Sequence, residues 1–105
     1  MNNELSIKII RELRKSSKQS QRALSKQCGV SLGSINYCMN ALLKKGYLKA
    51  RNFKNSENKM AYAYILTPSG IKLKKELTVS FLKRKKDEYD ALKEEIKALE
   101  EDLIG

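Results

Sequence analysis

Residues 31–45, Ser-Leu-Gly-Ser-Ile-Asn-Tyr-Cys-Met-Asn-Ala-Leu-Leu-Lys-Lys, decide how the rest of the chain is read. Apolar side chains fall at Ile35, Cys38, Met39, Leu42 and Leu43, the spacing of a helix with one buried stripe. Ser31 suits the N-cap, where its hydroxyl accepts a free backbone N–H of the first turn. Gly46, after two lysines, suits the stop. The outward positions of the first turns are Leu32, Gly33, Ser34, Asn36, Tyr37 and Asn40, and none is charged. A solvated helix ordinarily carries Glu and Lys there. Small, neutral, hydrogen-bonding side chains instead suit a helix that lies in the major groove of DNA.

Upstream, residues 4–15 read as a helix, with Leu5, Ile9, Ile10 and Leu13 as its apolar stripe and Lys8, Arg11, Arg14 and Lys15 as a solvated basic face. The polar run 16–20 is a connection. Ser20 caps a short helix over 21–27, with Ala23 and Leu24 inward. Gly29 supplies the left-handed residue that ends it, and Val30 turns inward before Ser31. Two helices around a tight glycine turn make either an ordinary helical hairpin or a helix-turn-helix. The charge and the segment that follows favour the second.

After Gly46 the period changes. Residues 47–53 and 60–66 read as strands, and Met60, Tyr62, Tyr64 and Leu66 share one face of the second. Tyr62 and Tyr64 are expected to pack this sheet against the helices rather than stack on single-stranded nucleic acid. The polar segment 54–59 joins the strands. A β-hairpin placed here is a wing, whose lysines either neutralise phosphates or belong to a solvated loop. The phosphate reading assigns backbone contact to Lys54, Asn55, Asn58 and Lys59, with Arg51 on the strand and Arg22 on the second helix.

Thr67-Pro68 then opens a long helix, with Thr67 at its N-cap and Pro68 at its first position. Ile71, Leu77, Phe81 and Leu82 carry its apolar face. The tract Lys83-Arg84-Lys85-Lys86 is either a solvated helical turn or lies near DNA or an acidic surface. Leu82, Tyr89, Ile96 and Leu103 are seven apart, with Leu92 and Leu99 between them. That is a heptad seam interrupted at Lys85, and it predicts pairing with a second copy rather than folding back on its own domain. The seam sets neither parallel nor antiparallel pairing. The fold expected is mainly α with a β-hairpin wing: residues 1–67 a winged helix-turn-helix domain, residues 68–105 a coiled-coil-like dimerisation helix.

The totals agree with a polyanionic partner. The chain of 105 residues carries a net charge of +10. Residues 1–75 hold 16 Lys and Arg against 3 Asp and Glu, and residues 76–105 hold 6 against 9. No secretory signal or membrane-spanning stretch is read, which points to the cytoplasm. With no His, two cysteines and no phosphate loop, nucleophile elbow or paired-acid motif, neither a metal site, a cofactor nor catalysis is expected. Cys28 and Cys38 suggest no disulfide framework. Cys38, on the inward stripe, reads as a small hydrophobe rather than a redox sensor.

The order of elements resembles that of the MarR-type winged-helix transcriptional regulators, and within them the small subgroup linked to exopolysaccharide gene clusters. The resemblance is carried by Ser31 to Cys38, by Asn52-Phe53-Lys54-Asn55-Ser56 with Asn58-Lys59 and Ala61-Tyr62-Ala63-Tyr64, by Leu66-Thr67-Pro68-Ser69-Gly70-Ile71 and by Phe81-Leu82-Lys83-Arg84-Lys85. It implies a dimeric, cytoplasmic, DNA-binding regulator. The larger members build their dimer from both chain ends beside a ligand pocket. Here little precedes the first helix, so pairing falls to the C-terminal helix.

The function expected is therefore a homodimer on a near-palindromic duplex site. Ser31, Gly33, Ser34, Asn36, Tyr37 and Asn40 would meet base edges, and Leu82, Tyr89, Leu92, Ile96, Leu99 and Leu103 would pair the copies. A protein-interaction adaptor and an RNA-binding module are the competing readings. The operator, any effector and the sign of regulation are not encoded in any motif.

Overall fold

The computed structural model describes residues 2–105. Its elements are α1 (Asn3–Lys15), α2 (Gln21–Cys28), α3 (Leu32–Lys44), β1 (Leu48–Lys54), β2 (Met60–Leu66) and α4 (Pro68–Ile104). Each helix starts on a side chain that accepts a first-turn N–H. Asn2 takes that of Leu5, Ser20 that of Ala23, Ser31 that of Ser34 and Thr67 that of Gly70, at 3.0–3.1 Å. Gly29 (φ 68°) and Gly46 (φ 76°) take the left-handed conformation after α2 and α3.

The core lies where α1, α2 and α3 meet β1 and β2. Leu5, Ile9, Leu13, Leu24, Ile35, Met39, Leu42, Leu48 and Tyr64 form one buried cluster with both cysteines. Ile7 and Ser6 are also buried, so α1 hides more than the single stripe expected of it. Ile7 belongs to the side of α1 that borders α4. Ser6 donates to the Asn2 carbonyl and sits 3.3 Å from the Cys38 sulfur. Both cysteines are free thiols, and burial pushes the Cys28 thiol above its usual range, with Glu12 adding to the effect.

The sheet has two antiparallel strands, with Leu48 opposite Leu66 and Lys54 opposite Met60. The first strand starts one residue later than the sequence suggests. Tyr47 is engaged instead in closing α3, its N–H bonded to the Leu42 carbonyl and its own carbonyl taking the Thr67 N–H. The Tyr64 N–H bonds the Ser17 carbonyl at 2.8 Å, tying β2 to the α1–α2 connection. One expectation fails here. Tyr64 is buried, but Tyr62 is 56% exposed, its ring 6.4 Å from that of Tyr64. Two residues nearer the wing tip, β2 has run past the helical layer that covers Tyr64.

Thr67 and Ser69 both donate to the Gly46 carbonyl, fastening the start of α4 to the end of α3. α4 then runs for 37 residues without a break, about 55 Å at 1.5 Å per residue. Gly70 and Leu77 are buried, whereas Ile71 and Leu82, expected on the same apolar face, are exposed. Arg84 reaches back to Glu4 at 3.7 Å. Beyond it every side chain is exposed, and the chain spans 67 Å along its longest axis. The helix does not fold back on its own domain.

Candidate nucleic-acid interface

Every outward residue of the first turns of α3 stands in solvent, with Tyr37 76% exposed. The inward stripe of Ile35, Cys38, Met39 and Leu42 is buried, so α3 is held by one face and offers the other. Ser31 is partly committed: its hydroxyl accepts the Ser34 N–H at 3.1 Å and lies 2.9 Å from the Ser34 hydroxyl. Gly33 is unconfined, for a Cβ there would meet nothing nearer than the Ser31 hydroxyl at 3.9 Å.

Asn36 and Asn40 belong to a row of amides. Gln21 accepts from the Asn36 Nδ2 at 3.2 Å, and Asn36 accepts from the Asn40 Nδ2 at 3.3 Å. The row sets the orientation of each amide while leaving further donors and acceptors free on its exposed side. Gln21 is absent from the sequence-predicted set. Its only signal is its place just after the Ser20 cap, and nothing in the α2 pattern says that this position lands beside Asn36. Arg22 is exposed next to it, and a shallow notch brings Arg22 together with Gln21, Leu32, Gly33 and Asn36. The α2 and α3 candidates thus form one surface.

The wing candidates are a second cluster. Arg51, Lys54, Asn55, Asn58 and Lys59 are all exposed. Asn55 and Asn58 have structural work, however. The Asn55 side-chain oxygen accepts the N–H groups of Glu57 and Lys59 at 3.0 and 3.1 Å, and Asn58 takes the left-handed conformation at φ 60°. They shape the tip that presents the lysines, and Asn55 has only its amide nitrogen to offer a phosphate. Lys59 lies 3.5 Å from Glu57, an exposed and weak pair. Lys18 lays its ammonium 4.9 Å from the Phe53 ring centroid beside the wing.

The pairing candidates Leu82, Tyr89, Leu92, Ile96, Leu99 and Leu103 are all exposed, between 47% and 90%. So contiguous an apolar stripe is unusual on a surface that stays in water. No helix among the described residues is long and apolar enough to cross a membrane.

A family model described as winged helix-turn-helix DNA-binding matches residues 2–49, which end as β1 begins. No curated protein sequence matches the chain. Among solved structures, the fold is similar to that of a MarR/EmrR family transcriptional regulator from Acinetobacter sp. ADP1, at 26% identity and a TM-score of 0.62 over 78% of this chain and 56% of that one. The chain therefore spans little more than half the length of that regulator. The PcaV transcriptional regulator from Streptomyces coelicolor, solved with its natural ligand, is similar at 18% identity and a TM-score of 0.69 over 94% of this chain and 69% of that one. A variant of MepR from S. aureus bound to an oligodeoxyribonucleotide is similar at 15% identity and a TM-score of 0.58 over 98% and 79%. The chain thus matches a winged helix-turn-helix family model over residues 2–49 and, over most of its length, shares the fold of these MarR-type regulators.

Proposed function

We propose that the chain is a double-stranded DNA-binding transcriptional regulator that acts as a homodimer on a near-palindromic site. The observation that carries this reading is the exposed, uncharged first two turns of α3, with their amide row, on a body whose first 75 residues carry 16 basic and 3 acidic side chains. Ser34, Asn36, Tyr37 and Asn40 discriminate between base pairs, and Gly33 lets the backbone come close. Ser31 holds the helix start and contacts through what its hydroxyl has left. Arg22, Arg51, Lys54 and Lys59 set the position through phosphates, with Asn55 and Asn58 shaping the tip. Two copies joined through Leu82, Tyr89, Leu92, Ile96, Leu99 and Leu103 present two reading helices to successive major grooves. Two proteins of similar fold, the Acinetobacter transcriptional regulator and the MepR variant bound to an oligodeoxyribonucleotide, support this use. The wing-to-helix resemblance adds a location, the cytoplasm, and a target class, genes for exopolysaccharide.

Duplex binding followed against salt tests the reading. Each neutralised phosphate contributes roughly −0.9 to the slope of log affinity on log salt, so affinity should fall steeply. Asn36→Ala or Tyr37→Ala should leave that slope in place while flattening preference among duplexes, by about 1–3 kcal/mol per lost base contact. A chain that binds no duplex at low salt would sink the proposal. Selecting bound fragments from the genomic DNA of its host identifies the target genes.

The exposed Tyr62 ring gives the RNA-binding reading one observation in its favour. Competition by single strands decides it, since only that reading has them outcompete duplex.

A further inference from the structure

A groove runs between α1 and α4. Ile7, Ile71, Val79 and Leu82 supply its apolar lining, and Arg11, Arg14, Lys15 and Lys74 are among its basic residues. The α4 wall includes Ile71, Lys75, Thr78, Leu82 and Lys85. In sequence these stand at the two seam positions of the heptad that continues as Tyr89, Leu92, Ile96, Leu99 and Leu103. Groove and exposed stripe are therefore one face of one helix, its first half walled by α1 and its second half bare. The halves differ in charge. Residues 68–86 hold seven basic side chains and one acidic, net +6, and residues 87–105 hold two basic and eight acidic, net −6.

We infer that the bare, acidic half of α4 from one copy lies antiparallel in the basic α1–α4 groove of a second copy, and reciprocally. This rests on the homodimer proposed above and gives it a geometry. In the register that aligns the seams, Ile71 faces Leu103 of the second copy, Thr78 faces Ile96, and Leu82 faces Leu92. Lys75 and Lys85 face Leu99 and Tyr89, on which their methylene stems can lie while the ammonium groups reach water. On the flanks Lys72 meets Glu100 and Lys74 meets Asp102, while at the centre Lys86 and Glu88 each meet their own copy on the solvated edge, outside the seam. A parallel pair in register would stack Lys75 on Lys75 and Lys85 on Lys85 inside the seam, and would set Glu95 beside Glu100. Like charges brought together out of water are strongly disfavoured, so the two arrangements are not close alternatives. The bare half spans as many residues as the groove half, so one occupant covers the whole stripe. A small anion in the groove would leave Tyr89 to Leu103 in water.

Two charge-reversed chains test the exchange. One carries Arg11→Glu and Arg14→Glu in the groove and Lys72→Glu on the flank beside it, the other Glu100→Lys, Glu101→Lys and Asp102→Lys on the tail. Each alone should dimerise about 10-fold more weakly than the unmodified chain in sedimentation, and an equimolar mixture should return to within about 3-fold of it. Cysteines at two exposed positions, where the fold is indifferent to them, read the orientation independently. Ile71→Cys mixed with Leu103→Cys should cross-link, and Leu103→Cys alone should not. A Leu103→Cys chain that cross-links to itself, or a groove-reversed chain that dimerises unchanged, overturns the antiparallel exchange and leaves the homodimer standing. An unmodified chain that sediments as a monomer at about 100 µM, where even a weak pair with micromolar affinity is assembled, overturns both.

Discussion

At the scale of single residues, two glycines are opposite cases. A Cβ at Gly70 would fall 2.0 Å from the Tyr47 carbonyl oxygen and 2.8 Å from Leu66 Cδ2. The first obstacle is backbone, held by the bond from the Thr67 N–H, so it cannot swing aside. Gly70→Ala is expected to destabilise the fold by about 3 kcal/mol, the upper range for overpacking. The melting temperature of a domain this size should then fall by roughly 15 °C. At Gly33, in the first turn of α3, there is open space, and alanine is favoured over glycine in a helix by at most about 0.5–1 kcal/mol, the value for an interior position. Gly33→Ala should therefore raise the melting temperature and weaken duplex binding, because the space it fills is what the approaching DNA needs. A Gly33→Ala chain that binds duplex as tightly as before would remove Gly33 from the contact surface. The two measurements, stability and binding, move in opposite directions only if the glycine serves the partner rather than the fold.

At the scale of elements, the wing separates shape from charge. Asn55 and Asn58 build the tip, while Lys54 and Lys59 carry its charge. Lys54→Ala and Lys59→Ala should each weaken binding to all duplexes alike and lower the salt slope by about 1, read from titrations at several salt concentrations. How far each element was legible beforehand follows from what kind of information it needs. Caps and periods are local, so Ser20, Ser31, Thr67 and the glycine stops at 29 and 46 announced the helices, and the turn-rich run 54–59 announced the hairpin. Burial by a distant element is not local. Ile7 could not be assigned to a second buried side of α1 without knowing that α4 borders it. Tyr62 shares the β2 pattern with Tyr64, and only the extent of the helical layer separates the exposed ring from the buried one. Gln21 joins the amide row through packing of α2 on α3, a relation that no spacing within either helix encodes. The uncharged face of α3 was visible in the sequence. The hydrogen bonds that pre-set its amides were not.

At the scale of the whole molecule, α4 is the element to which the proposal gives assembly. Residues beyond Arg84 contribute no buried surface to the chain's own core, so deleting 88–105 should leave the winged-helix domain folded and yield monomers in sedimentation. Dimers that persist would place the pairing surface elsewhere. Operator affinity should drop with the dimer, since a single domain of this charge keeps its phosphate contacts but loses the second half-site. The charge division of α4 also governs how the molecule travels toward its partner. A lone chain is an electric dipole stretched over 67 Å, cationic at the winged-helix end and anionic at the tip. Near a polyanion it experiences a torque and turns its winged-helix end forward before contact. Two copies related by a two-fold axis cancel every component of that dipole except the one along the axis. The proposed exchange of acidic halves would also neutralise the basic α1–α4 groove of each domain. What survives is a field directed along the symmetry axis, so that DNA on the reading side would be met by both heads at once.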